Sequence, residues 1–175
     1  MDTKRALSAE HRRLRLLAQV LPLVTVAAWI ITIFVPVLDS RTSTGPGIVI
    51  TSLGDADSGG RVTENPGFAA LWLIILAIAA LAWVFRAPKW WSGVAIIVAA
   101  LLLICLMYLV VEPPFLMWDG QTPGGRPTGG MEVAYPGPGF IFWILGVGAL
   151  GTAGFCGLIA EDREAAASRC VKTGT

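Results

Sequence analysis

Four stretches of this chain, Leu16 to Leu38, Phe68 to Phe85, Trp90 to Val111 and Phe140 to Ala160, contain no Asp, Glu, Lys, Arg or His. Only 14% of its 175 residues are charged, whereas an ordinary soluble domain carries about 25%. That absence excludes an ordinary water-soluble fold. It also argues against ion- or proton-coupled transport, which generally uses ionisable groups or broken helices at mid-membrane. Histidine is nearly absent too: His11 stands alone on a basic segment, so no histidine-based catalytic set and no metal cluster is expected. Of the three cysteines, Cys105 and Cys156 fall inside apolar stretches and Cys170 near the end of the chain. None lies in the long polar loops, which excludes a disulfide framework there. No cofactor is expected.

What is present is 55% hydrophobic residues gathered into blocks. A helix crossing the roughly 30 Å hydrocarbon layer needs about 20 residues, and all four stretches qualify. The expected fold is an all-α membrane protein with four transmembrane helices. The chain then divides into a basic N-terminal segment (1–15), a four-helix domain (16–160) and a tail (161–175). Spans cover 16–38, 68–85, 90–111 and 140–160, with loops at 39–67 and 112–139. A cleaved leader is the rival for the first span. Its apolar run exceeds the roughly 7 to 15 residues of a signal core and the following VPVLDSRTS offers no small-x-small site, so an uncleaved span is expected.

Ten of the 13 basic residues lie in the N-terminal segment, the short 86–89 turn and the tail, while Arg41, Arg61 and Arg126 are alone in the two long loops. By the positive-inside rule both termini are cytoplasmic and both long loops lie outside, in a multi-pass plasma-membrane protein. Seven acidic residues, Asp39, Asp55, Asp57, Glu64, Glu112, Asp119 and Glu132, colour the outer loops. Tryptophans fit that plan. Trp72 and Trp143 sit near outer ends of spans, and Trp83, Trp90 and Trp91 flank the inner turn, as rings at headgroup level do. Trp29 is mid-span, where packing on a neighbouring helix or simply facing lipid is expected rather than a grip on a ligand or lipid. Residues 3–17 are expected to form a basic helix running into the first span, and Pro22 and Pro36 to bend that span. Ten arginines against three lysines, with abundant alanine and glycine, point to a GC-rich bacterial coding sequence.

Two segments, NPGFAALW (65–72) and YPGPGFIFW (135–143), pass from proline and glycine straight into bulky apolar residues. Proline suits the first turn of a helix, and an irregular backbone must end before hydrocarbon begins. Each segment is therefore expected to start a span. Pro66-Gly67-Phe68 and Pro138-Gly139-Phe140 are 72 residues apart, which suggests a 2+2 parallel internal repeat, with chance recurrence as the rival.

Sites of chemistry are sparse. GVGALG (146–151) matches the dinucleotide fingerprint by letter, but it sits within an apolar helix with no strand before it. Gly148, Gly151, Gly154 and Gly157 recur every three residues, and Ala149, Ala153 and Gly157 every four, which marks a close helix-packing face. DADSGG (55–60) opens like a calcium loop yet has Gly59 and Pro66 where oxygen ligands belong, so a solvated turn is expected. GIVITSL (47–53) and RVTEN (61–65) are expected to pair as a short β-hairpin, with MEVAY (131–135) as a further partner strand. EPPFLMWDG (112–120) supplies candidate partner-contact residues Phe115, Met117, Trp118 and Asp119. The rival is that these residues dip into the headgroup region or cap the bundle. GQTPGGRPTGG, after it, has a linker-like composition.

The function expected from this inventory is a non-enzymatic accessory or scaffold subunit. Its expected partners are the lipid bilayer and another membrane protein, or a second copy of itself, and not nucleic acid. The alternatives are a homo-oligomeric pore or holin-like permeabilising protein, and a membrane enzyme using outer carboxylates such as Asp39, Glu112 and Asp119.

Overall fold

A backbone surrounded by lipid has no solvent to hydrogen-bond with, and a helix satisfies that demand within one segment. The computed structural model, which describes residues 2–40, 49–52, 57–58, 61–62, 66–85, 89–118, 120, 123–126 and 128–173, is mostly helical. It has four helices: α1 (Asp2–Phe34), α2 (Pro66–Val84), α3 (Lys89–Val111) and α4 (Gly139–Thr173). Three are long and apolar enough to cross a membrane, over Arg12–Phe34, Trp90–Val111 and Gly139–Ala166. α2 adds a shorter apolar stretch, Ala70–Val84.

The helix boundaries have local causes. α1 runs through Pro22, whose missing N–H leaves the Ala18 carbonyl without its usual helical donor. It stops at Phe34, short of the apolar run's end at Leu38, because Pro36 cannot donate and disfavours helical geometry at Val35. Pro66 occupies the first position of α2, where its fixed φ is favourable. α3 closes with the Glu112 N–H on the Tyr108 carbonyl (2.8 Å), and Pro113 and Pro114 follow. The basic segment 3–17 is helical, as expected, and α4 continues as helix to Thr173.

Seven short strands also form: β1 (Leu38–Asp39), β2 (Val49–Ile50), β3 (Asp57–Ser58), β4 (Arg61–Val62), β5 (Phe115–Trp118), β6 (Gly130–Val133) and β7 (Tyr135–Pro136). They make a three-stranded sheet in the order β2-β1-β7 and two separate pairs, β3-β4 and β5-β6, all antiparallel. This pairing differs from the expected hairpin. Val49–Ile50 pairs with β1, not with Arg61–Val62. Ser58 lies opposite Arg61 with Gly59 and Gly60 between them, and such a two-residue separation favours the tight local hairpin over a longer loop. MEVAY likewise splits, its first part pairing with Phe115–Trp118 and its end with β1. The linker-like run carries the β5-β6 ladder onward through the Thr128 N–H to the Gly120 carbonyl (2.7 Å). Gly125 then turns with φ +75°, a conformation glycine adopts at no steric cost.

The chain forms two compact units. One comprises residues through Ala27, Ile74–Leu102 and residues from Leu145 onward. Its core is built largely of small side chains, Ala18, Ala79, Ala82, Ala95, Ala99, Ala153 and Ala160, around the buried Trp91, Ile75 and Leu150. The Trp91 indole donates to the Ile78 carbonyl (2.8 Å) and the Thr25 hydroxyl to the Gly146 carbonyl (3.0 Å). The second unit, Ala28–Leu73 and Leu103–Ile144, contains every strand and is organised around Trp29, Val37, Leu38, Ala134, Phe140 and Trp143.

Within the first unit, α4 presents its glycines to α3. A Cβ at Gly154 would lie 2.9 Å from the Ser92 carbonyl oxygen and 2.8 Å from Ile96 Cγ1, whereas one at Gly148 would meet nothing within 4 Å. Gly154→Ala should therefore destabilise the protein by roughly 1 to 3 kcal/mol. Gly148→Ala should be neutral or stabilising by up to about 1 kcal/mol through helix propensity. Thermal unfolding of both variants in mild detergent checks the opposite signs.

Candidate functional site

The second unit joins α1 to α4 through their ends. The last carbonyls of a helix and the first N–H groups of another lack intrahelical partners, and here the segments that flank α1 and α4 supply some of them. Gly139 N–H donates to the Pro36 carbonyl (2.8 Å), Gly137 N–H to Val37 (2.8 Å), and Val37 N–H to Ile50 (2.8 Å). Ser52 N–H reaches the Thr32 carbonyl inside the last turn of α1 (3.1 Å). The approach is close enough that a Cβ at Gly139 would sit 2.6 Å from both the Val35 and Pro36 oxygens, and one at Gly137 2.8 Å from Pro36 O. The Pro-Gly-Pro-Gly run is thus a place where two backbones nearly touch.

Beneath that junction lies a tryptophan cluster. Trp29 of α1 and Trp143 of α4 stack with ring centroids 5.3 Å apart and planes 21° from parallel. The Trp29 carbonyl accepts from the Thr32 hydroxyl (2.7 Å) and lies 3.5 Å from the Trp72 indole nitrogen. Trp29 therefore packs on a neighbouring helix, as expected. Its own indole N–H is buried without a protein partner. Trp143 departs from the expectation of an interfacial ring, since it is only 4% exposed. Trp91 is fully buried as well, while Trp83 and Trp90 are exposed.

The candidate partner residues fall on β5. Phe115 is 62% exposed. Met117 and Trp118 are strand residues, placed by register opposite Met131 and Gly130, but their side chains lie outside the described residues, as does all of Asp119. Of the candidate packing face, Ala149, Ala153 and Gly157 are all buried, and Gly157 faces Ser92 of α3. Asp39 is half-buried in β1, and the exposed Glu112 accepts a hydrogen bond from the Tyr108 hydroxyl.

Sequence reasoning missed several residues here. Glu132 is only 5% exposed although it lies in the acidic 112–139 loop. Its one advance signal is that it is the sole charge in the strand-forming run MEVAY. Ser40 and Ser52 are buried too, and Met131 and Tyr135 are exposed apolar side chains on strands. Among the described residues no group of three His, Cys, Asp or Glu side chains could hold a metal ion. What the arrangement offers is stacking surface, hydrogen bonds and shape.

Trp143→Ala should cost roughly 3 to 5 kcal/mol. In a double-mutant cycle with Trp29→Ala, the stack itself should appear as a coupling of about 0.5 to 1.5 kcal/mol. Unfolding in mixed micelles measures both, and strict additivity would mean the rings do not cooperate. The chain matches no protein-family model, no curated protein and no solved structure.

Proposed function

We propose that this chain is a non-enzymatic accessory subunit of the plasma membrane, with four helices crossing the bilayer, both termini in the cytoplasm, and a folded outer face that docks a partner membrane protein. The observation that carries the reading is the β1-β7 pairing, Leu38 with Pro136 and Asp39 with Tyr135. It ties the segment leaving α1 to the segment leading into α4, so the two outer loops share one sheet. Loops that served only as connectors would not need a common scaffold. Trp118, the last residue of β5, and Asp119, the next in the sequence, are assigned to the partner.

Two further observations support this assignment. Arg15 and Glu164 pair at 3.2 Å, so the basic start of α1 and the end of α4 emerge at one end of their unit, where the positive-inside rule favours cytoplasm. The glycine face that could have driven self-association into a pore is occupied by Ser92, Ile96 and Ala99 of the same chain. A duplicated 2+2 plan remains part of the proposal. Phe34 and Val111 end their helices four residues before Leu38 and Phe115 begin strands, with proline between in both cases. The strand pairing is not itself duplicated, since β5 pairs with β6 and β4 with β3.

Cross-linking in native membranes followed by purification in mild detergent should yield a defined partner in near-stoichiometric amount. Its yield should fall at least about tenfold, or about 1.4 kcal/mol, in Trp118→Ala/Asp119→Ala. Recovery of this chain alone from both preparations refutes the accessory role. Tags at the two ends should be cleaved together in inverted vesicles and protected together in right-side-out ones.

A further inference from the structure

We infer that the outward face of the β5-β6 hairpin is a lipid contact, seated in the headgroup layer and carried by Phe115 and Met131. The inference rests on the assignment of this loop to the outer membrane surface and goes beyond it by naming what covers one face of the hairpin.

Register defines the face. Directly opposed residues in an antiparallel pair share a side and successive residues alternate, so Phe115, Val133 and Met131 fall on one face and Glu132 on the other. Exposure separates the two: Phe115 and Met131 are 62% and 61% exposed, while Glu132 is 5% exposed. The outward face therefore carries no charge, and the hairpin's one acid in the paired region points inward. Arg126, which is exposed, lies in the connecting segment at the far end.

Chain continuity names the occupant. β5 begins four residues after α3 ends at Val111, and Tyr135, also exposed, lies four residues before α4 starts at Gly139. Four residues span at most about 14 Å, and the interfacial layer is roughly 5 to 8 Å thick on each side of the hydrocarbon. Phe115 is thus tethered within that reach of the end of α3, and Val133, six residues before Gly139, within about 22 Å of the start of α4. Tyr108, Val110 and Val111, at the end of α3, are exposed apolar or aromatic side chains in the same unit, with the exposed Glu112 between them and Phe115 in the chain. In water, the same face would be an uncompensated apolar patch.

The test uses the full chain in phosphatidylcholine and phosphatidylglycerol vesicles, with the native cysteines replaced by alanine and one nitroxide attached at Met131→Cys, Phe115→Cys or Arg126→Cys. All three positions are exposed, and co-elution with the unlabelled protein verifies folding. Relaxation by oxygen, which partitions into lipid, is compared with relaxation by a water-soluble nickel chelate. Labels at 131 and 115 should give an oxygen-to-nickel ratio several-fold above that at 126. Equal ratios at all three positions overturn the inference in favour of water. Protection of 131 and 115 from both reagents overturns it in favour of a protein cover, a second copy of this chain. Depth is read without regard to side, and no partner is present in the vesicles. Failure here therefore leaves the cytoplasmic assignment of the termini and the accessory role to their own experiments.

Discussion

A buried backbone amide or carbonyl left unpaired costs several kcal/mol, and much of the second unit follows from avoiding that cost. Helix ends are where the problem concentrates, because four N–H groups and four carbonyls per helix have no internal partner. Here Gly139 N–H at the start of α4 is satisfied by the Pro36 carbonyl just past α1, Gly137 N–H by Val37, and the Thr32 carbonyl in the last turn of α1 by Ser52 N–H. β1 and β7 are only two residues each, too short to be stable alone, yet they persist as the natural extension of that exchange. The absence of side chains at 137 and 139 is what allows the two backbones to approach.

Packing within each unit reflects its neighbours. The first unit draws its helices together with alanine and glycine, which gain van der Waals contact by closeness where the hydrophobic effect supplies no drive between helices. The second unit uses large flat rings instead. Trp29 and Trp143 fill the space between α1 and α4, and the Trp29 carbonyl takes donors from its own helix and from Trp72. Neither unit buries an acid-base pair among its described helical residues. The polar groups that are buried there, such as Thr25 and Thr32, bind backbone carbonyls.

Helix positions were legible in the sequence because lipid demands long uncharged runs, and a run of about 20 residues can hardly be anything else. Strand pairing was not. Two-residue strands have no periodicity to detect, so the partner of Val49–Ile50 depended on where α1 left its exposed carbonyls and not on β-propensity. The glycines of α4 announced close packing, but nothing in their spacing could say that α3, and not another chain, lay against them. Trp143 was misread because enrichment at the interface concerns depth along the helix, and a ring at that depth can still turn inward. Glu132 was passed over because an acid in an outer loop defaults to solvent, and only the hairpin register reveals that alternate residues must face the protein.

α4 does not end where its apolar residues do. At 35 residues and a rise of 1.5 Å each, it is roughly 52 Å long, well beyond the hydrocarbon thickness. The segment past Ala160 continues as helix to Thr173, and its Glu164 pairs with Arg15 of α1. A helical marker spliced in phase onto it would inherit the direction of α4, giving a small, mostly helical protein a handle by which to orient single particles.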